Sequence, residues 1–121
     1  MPQTPVTYVD GPTIEAGESL SDGVQVSAGR VVRITLPGPE EWTQADLTFQ
    51  VSTDGVYYND VFDDEGNEVV IPGAPHWATI VLSARVNLDT IGWLKIRSGT
   101  RDAPVEQPAT CKMALTLQTY A

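Results

Sequence analysis

The chain has 121 residues, a net charge of −9 and a sequence pI near 4.2. Seven scattered basic residues among sixteen acidic ones cannot supply the positive field that a phosphate backbone or an anionic bilayer surface attracts, which argues against nucleic acid or a membrane as partner. Its length and 41% hydrophobic share suit one domain with a real core and no need of metal or disulfide, and ten glycines and nine prolines suit many short strands joined by turns.

Residues 1–12, MPQTPVTYVDGP, read as an extended N-terminal arm. Pro2, Pro5 and Pro12 oppose regular structure, while Tyr8 and Val9 are apolar enough to gain from burial against a neighbour. The segment has neither the basic n-region nor the apolar h-region expected of a signal peptide. Residues 13–121 read as a single β-sandwich domain. Thr13-Ile14-Glu15 makes a short strand, and Ser19–Ser27 is an extended piece broken at Ser21-Asp22-Gly23. Val31–Leu36 follows as a strand, with Val32, Ile34 and Leu36 expected on its inner face. Pro37-Gly38-Pro39 stops it. Glu40–Gln44 then reads either as one helical turn or as a loop that tucks Trp42 under the sandwich.

The most informative stretch is Asp46–Pro72. Leu47, Phe49 and Val51 alternate with polar residues, the period of a strand with one buried face. Thr53-Asp54-Gly55 supplies a turn, with Gly55 at a positive φ. Val56–Phe62 runs back, and Asp64-Glu65-Gly66-Asn67 turns the chain again into Val69-Val70-Ile71. Residues 72–77 read as a loop, Thr79–Ser83 as a strand with Ile80 and Leu82 inward, and Leu88–Gly92 as a helical turn. Trp93–Arg97 is a strand opposing Leu94 and Ile96 to Lys95 and Arg97. A polar loop over Ser98–Thr110 leads to the closing strand, with Met113, Leu115 and Leu117 inward. About eight short strands at such spacings predict an all-β chain, an antiparallel β-sandwich or jelly roll. The expected core is Val32, Ile34, Leu47, Phe49, Val51, Ile80, Leu82, Leu94, Ile96, Leu115 and Leu117.

The motifs of common enzymes are missing. No Gly-x-Ser-x-Gly elbow, His-Glu-x-x-His pair or phosphate-cradling glycine loop is present. His76 is the only histidine and reads as an exposed loop residue beside Pro75. Cys111 is the only cysteine, which excludes an intrachain disulfide, and its place in the closing strand suits a small buried hydrophobe. Asp60, Asp63, Asp64, Glu65 and Glu68 gather round the second turn, where oxygen ligands for Ca²⁺ are conceivable. Their spacing is not that of an EF-hand, and acids flanking a Gly-Asn turn serve turn geometry. The sequence thus predicts no catalytic residue, no metal site and no cofactor. Trp42, Trp77, Trp93, Tyr57 and Tyr58 could stack on a sugar, although tryptophans more often fill core ends. Tyr57 and Tyr58 are adjacent on an expected strand, so one must point outward, and an outward tyrosine suits an interface. Tyr8, Val9, Tyr57 and Tyr58 are therefore the expected interface residues.

Leu47–Tyr58, with its Ser52-Thr53-Asp54-Gly55 turn, resembles the hairpin of discoidin-like, galactose-binding-type β-sandwiches. Trp93–Arg97 resembles their penultimate strand and Ala114–Leu117 their closing one. Their sugar-binding loops do not match residue by residue, so no ligand residue carries over. Taken with Gly17–Ser21, Lys95–Thr100, Pro104-Val105 and Gln107, the pattern resembles small structural proteins of tailed-phage heads and tails. That resemblance implies a non-catalytic virion protein, most specifically a capsid decoration (cement) protein. It would be assembled in the bacterial host cytoplasm and carried on the particle surface. Its partners would be the major capsid protein or other virion proteins, and it would act as a homo-oligomer. A tail or baseplate component and a carbohydrate-binding host-adhesion module are the alternatives.

Overall fold

The computed structural model describes residues 5–27, 29–89 and 91–119, and over these the chain is all-β. Ten strands form in chain order: β1 (Val6–Ile14), β2 (Val24–Gln25), β3 (Gly29–Thr35), β4 (Ala45–Ser52), β5 (Asn59–Asp60), β6 (Ile71–Ala74), β7 (Thr79–Val81), β8 (Leu88–Asp89), β9 (Trp93–Ser98) and β10 (Cys111–Thr119). The first sheet has the order β1-β10-β3-β7, with β8 also on β3. The second has the order β2-β9-β4-β5, with β6 also on β4. All pairings are antiparallel, and they are nested: β1 with β10, β2 with β9, β3 with β7 and β8, β4 with β5 and β6. The chain is thus one long hairpin wound around its core, the jelly-roll arrangement. Ten segments fill eight strand positions, because β7/β8 and β5/β6 are each one edge position interrupted by a loop.

The inner faces meet in a continuous core. Ile34, Leu115 and Leu117 of the first sheet face Leu47, Phe49, Leu94 and Ile96 of the second, and all are essentially inaccessible. Val51, Ile80 and Leu82 pack on that core from its margin and remain half-exposed. Trp42 closes one end. Its loop makes a single turn in which Trp42 N–H donates to Gly38 O (2.9 Å), and its indole Nε1 donates to Ala74 O at 2.8 Å. Of the two readings of residues 40–44, the tucked loop is the one formed.

Five expectations need correction. The N-terminal segment is extended, but it is not a free arm: from Val6 it is strand β1, in register with β10 from Val6↔Gln118 to Ile14↔Cys111. Its alternating Val6, Tyr8 and Asp10 against Thr7 and Val9 suits a strand better than its prolines suggested. Residues 1–4 lie outside the described residues. On β3 the alternation slips, because Leu117 pairs with Val31 while Thr116 pairs with Arg33, leaving Val32 as the extra residue of a bulge. Val31 is therefore buried and Val32 only half-covered. Leu88-Asp89 is not a helical turn but strand β8, and Ile71–Ala74 is strand β6 within what reads as a loop. The strand expected over Val56–Phe62 shrinks to Asn59-Asp60, because residues 53–58 are a wide turn organised by side chains.

Candidate interaction surface

That wide turn is held by Ser52 and Asp54. Ser52 Oγ accepts from Gly55 N–H (2.9 Å), while Asp54 Oδ1 accepts from Val56 and Tyr57 N–H (2.8 and 3.0 Å). These backbone donors, with the Ser52 hydroxyl, hold the exposed Asp54 carboxyl below its ordinary range. Gly55 takes φ 78, as the sequence indicates, and lies flat on the Trp93 indole. The turn points its two tyrosines apart. Tyr57 is 78% exposed, whereas Tyr58 lies half-buried with its hydroxyl against Gly23 and Lys95 Nζ 4.3 Å from its ring centre. Burial, then the charges of Asp54 and Asp22, push the Tyr58 hydroxyl upward from its ordinary pKa. Tyr58 is thus a strut that fastens the turn onto β9, and Tyr57 alone of the pair is available to a partner.

The acidic turn divides in two. Asp63 caps its own turn, accepting from Glu65 and Asn67 N–H at 2.9 Å each. Asp60 and Glu68 face inward onto β9, where Arg97 Nη2 is 2.6 Å from Asp60 Oδ1 and Nη1 is 3.4 Å from Glu68 Oε2. Gln50 donates to Asp60 and Arg101 Nε stands 3.4 Å from its other oxygen. Burial works to raise the Asp60 pKa, but the Arg97 hydrogen bond and charge, with Gln50 and Arg101, outweigh it and hold the carboxyl low. Arg97 also donates to Thr48 Oγ1, which itself donates to Gly99 O. These bonds pull the residue 61–70 hairpin and the loop after β9 over the outer face of the second sheet. Alternation along β9 put Arg97 on the solvent face; Glu68 of the 61–70 hairpin and Asp60 of β5, 29 and 37 residues away, are what cover it. No group of three or more His, Cys, Asp or Glu side chains able to hold a metal occurs among the described residues.

The other singled-out residues disperse. Trp42 is in the core and Trp93 lies under the Gly55 turn, so the five aromatics do not form one platform. His76 is exposed. Cys111 faces the core, where burial and then the Glu41 charge push its thiol up to about 11, so it stays neutral. Gln107, named from the sequence only as part of a resemblance, is fully buried and ties Thr43 N–H and O to Ser98 Oγ at 2.8–2.9 Å. A polar residue in a Pro-rich loop carried no signal of this role.

The outer face of the first sheet is different: among the described residues no loop is bonded across it. Register across the four strands places Tyr8, Thr116, Arg33 and Val81 in one transverse row. Asp10, Ala114, Thr35 and Thr79 form the row on one side, and Val6, Gln118, Arg30 and Asp89 the row on the other. Tyr8 is 75% exposed and Val81 69%, with only small side chains and Arg33 between them. Arg30, Arg33 and Lys112 sit here against Asp10 and Asp89, so the face is close to neutral on a chain of net charge −9. Val9, by contrast, pairs with Leu115 and points inward; it anchors β1 and leaves Tyr8 as the exposed residue of the two. Comparison with known protein families, with characterised proteins and with solved structures finds no match to this chain.

Proposed function

We propose that this chain is a non-catalytic structural protein of a tailed-phage particle, a capsid decoration protein that seats the outer face of its first sheet on neighbouring capsid subunits. The observation that carries the reading is the unequal covering of the two sheets. The second sheet's outer face is closed by its own loops through Arg97, Asp60 and Glu68, whereas the first leaves Tyr8 and Val81 open beside Arg33. A flat face with an aromatic anchor, an arginine and small side chains between them has the composition of an interface core. The resemblance of the Leu47–Tyr58 hairpin and the closing strands supplies the virion context. The jelly roll, shared by viral capsid domains and lectins, is compatible with it without deciding it. The partners in this reading are the major capsid protein or other virion proteins, with assembly in the host cytoplasm and residence on the particle surface.

The test is occupancy. Purified protein is mixed with particles lacking it, and bound copies are counted by mass spectrometry and imaging. Arg33→Glu with Val81→Glu, on the part of the face away from β1, is expected to abolish most binding while the melting curve is kept. Unchanged occupancy would overturn the reading.

One observation favours host adhesion as a second reading. Trp77 is 75% exposed and held at φ 60, its N–H bonded to Pro37 O at 2.8 Å and its indole resting on Gly38 beside Glu40 and Glu41. An exposed indole next to carboxylates suits sugar stacking, and backbone strain gathers at binding sites. A glycan array on wild type and Trp77→Ala decides it: a specific signal lost in the variant would support adhesion, and a blank array would remove it.

A further inference from the structure

A jelly roll exposes four sheet edges, and in this chain three of them are blunted. β2 is two residues long. The β7/β8 edge is interrupted by residues 82–87 and the β5/β6 edge by residues 61–70. Among the described residues, only β1 presents a long regular edge. Unpaired strand edges template pairing with another chain, and proteins normally shorten, charge or cover them.

The hydrogen-bond phase of β1 shows what its edge offers. Thr119 N–H donates to Pro5 O at 3.0 Å, and antiparallel pairs alternate between bonded and non-bonded, so Thr7 and Val9 bond to β10. The N–H and C=O of Val6, Tyr8 and Asp10 point the other way, and among the described residues nothing meets them. Further along, beyond the register shift after Asp10, the chain does cover its own edge. Thr13 N–H donates to Asp22 Oδ1 (2.8 Å) and Thr13 O accepts from Asp22 N–H (3.1 Å). The open stretch therefore ends abruptly. It spans five residues, about 17 Å of strand, with no lysine or proline inside it. Its one charge, Asp10, is already paired with Lys112 Nζ at 2.7 Å.

We propose that two copies of this chain pair edge to edge through β1, antiparallel about a two-fold axis at Tyr8. Tyr8 would exchange N–H···O bonds with its own counterpart, and Val6 and Asp10 would each lie opposite the other's copy. The occupant is a second copy because the segment is complementary to itself: a self-paired tyrosine at the centre, an apolar residue opposite a neutralised acid on either side. The charge distribution agrees. The surface around β1 carries three basic and two acidic residues, so the chain's whole negative excess lies elsewhere. Two copies can therefore meet here without bringing those acids together. Antiparallel pairing within one sheet puts the axis perpendicular to it, so both outer faces look the same way. The result is one continuous platform eight strands across, four from each copy. This deepens the assembly role proposed above and rests on it: a doubled platform is what bridging two neighbouring subunits requires.

Sedimentation equilibrium over a concentration series, with amide hydrogen exchange on the same samples, tests the pairing. The wild-type chain is expected to dimerise, and the amides of Val6, Tyr8 and Asp10 to gain protection as the dimer forms. Those of Thr7 and Val9 should be protected in monomer and dimer alike. Tyr8→Lys places two like charges across the axis and is expected to weaken association about tenfold or more, with an unchanged melt, while Tyr8→Phe keeps it. A chain monomeric up to millimolar concentration, a dimer in which those three amides exchange freely, or a folded Tyr8→Lys chain that associates as well as wild type would each overturn the inference. Capsid occupancy reads the face and dimerisation reads the edge, so a monomer that still occupies particles would sink the edge pairing alone.

Discussion

Arg97 and Asp60, 37 residues apart in the chain, meet at 2.6 Å on the outer face of the second sheet, with Arg97 at 9% and Asp60 at 19% side-chain exposure. Thr48, Gln50, Glu68 and Arg101 complete the network around them. Because both ions are largely out of water, their value lies in being together. Without Asp60, Arg97 would keep only the longer contact to Glu68, and without Arg97, Asp60 would keep only Arg101. The pair is what holds the residue 61–70 hairpin down and makes the second sheet's outer face a closed surface.

Asp60→Ala should therefore lower stability by about 2 kcal/mol, because Arg97 keeps only the longer contact to Glu68. Replacing both, as Asp60→Leu with Arg97→Met, should recover most of that loss. The pair also sets an acid limb. Asp60 has a folded pKa below its unfolded one, so its contribution is present above the unfolded value of about 3.9 and disappears as pH falls through the folded one. Urea melts from pH 7 down to pH 3 should show wild type losing stability at the acid end more steeply than Asp60→Asn. Parallel curves would detach Asp60 from that limb.

The bulge on β3 makes a contrast within the core. Phe49 and Leu115 are essentially inaccessible, and truncation to Ala should cost about 3–5 and 2–5 kcal/mol respectively. Val32, the unpaired residue of the bulge, is half-covered and should cost less than about 1 kcal/mol. Val31→Ala should exceed Val32→Ala. Equal losses at the two positions in chemical melts would reject the register derived for β3.

Gly55 combines two constraints. Its φ of 78 strains any β-branched residue, and a Cβ there would sit 3.0 Å from the Trp93 ring. Gly55→Val should destabilise by about 1–3 kcal/mol and shift the Trp93 fluorescence. Gly66, at φ 87 but facing open space, separates the two causes: Gly66→Ala should cost only the backbone term, about 1 kcal/mol. A wild-type melt for Gly55→Val would dissolve the turn assignment.

Strands β4, β9 and β10 were legible, because the period of two is uninterrupted in Leu47-Phe49-Val51, Leu94-Ile96 and Met113-Leu115-Leu117, with Val51 alone of these half-exposed. Gly55 was legible for a local reason: the φ of a tight turn is a property of the residues in it. What failed was everything set by a distant partner. Val32 was placed inward because alternation was extended through a bulge that only the pairing of β3 with β10 creates. Leu88-Asp89 is a strand solely because β3 lies beside it, since two residues carry no period. The N-terminal residues were assigned to an arm on their prolines, yet Val6–Asp10 finds a whole strand of β10 to pair with. Among the residues expected at an interface, Tyr8 and Tyr57 are exposed, while Val9 and Tyr58 turned inward, because their facing is fixed by Leu115 in one case and by Gly23 and Lys95 in the other. Local sequence determined which segments extend and where they turn. The tertiary structure decided which loop covers which sheet, because ion pairs such as Arg97–Asp60 form between residues whose proximity no local pattern encodes. That covering is what leaves one face and one edge of the molecule open.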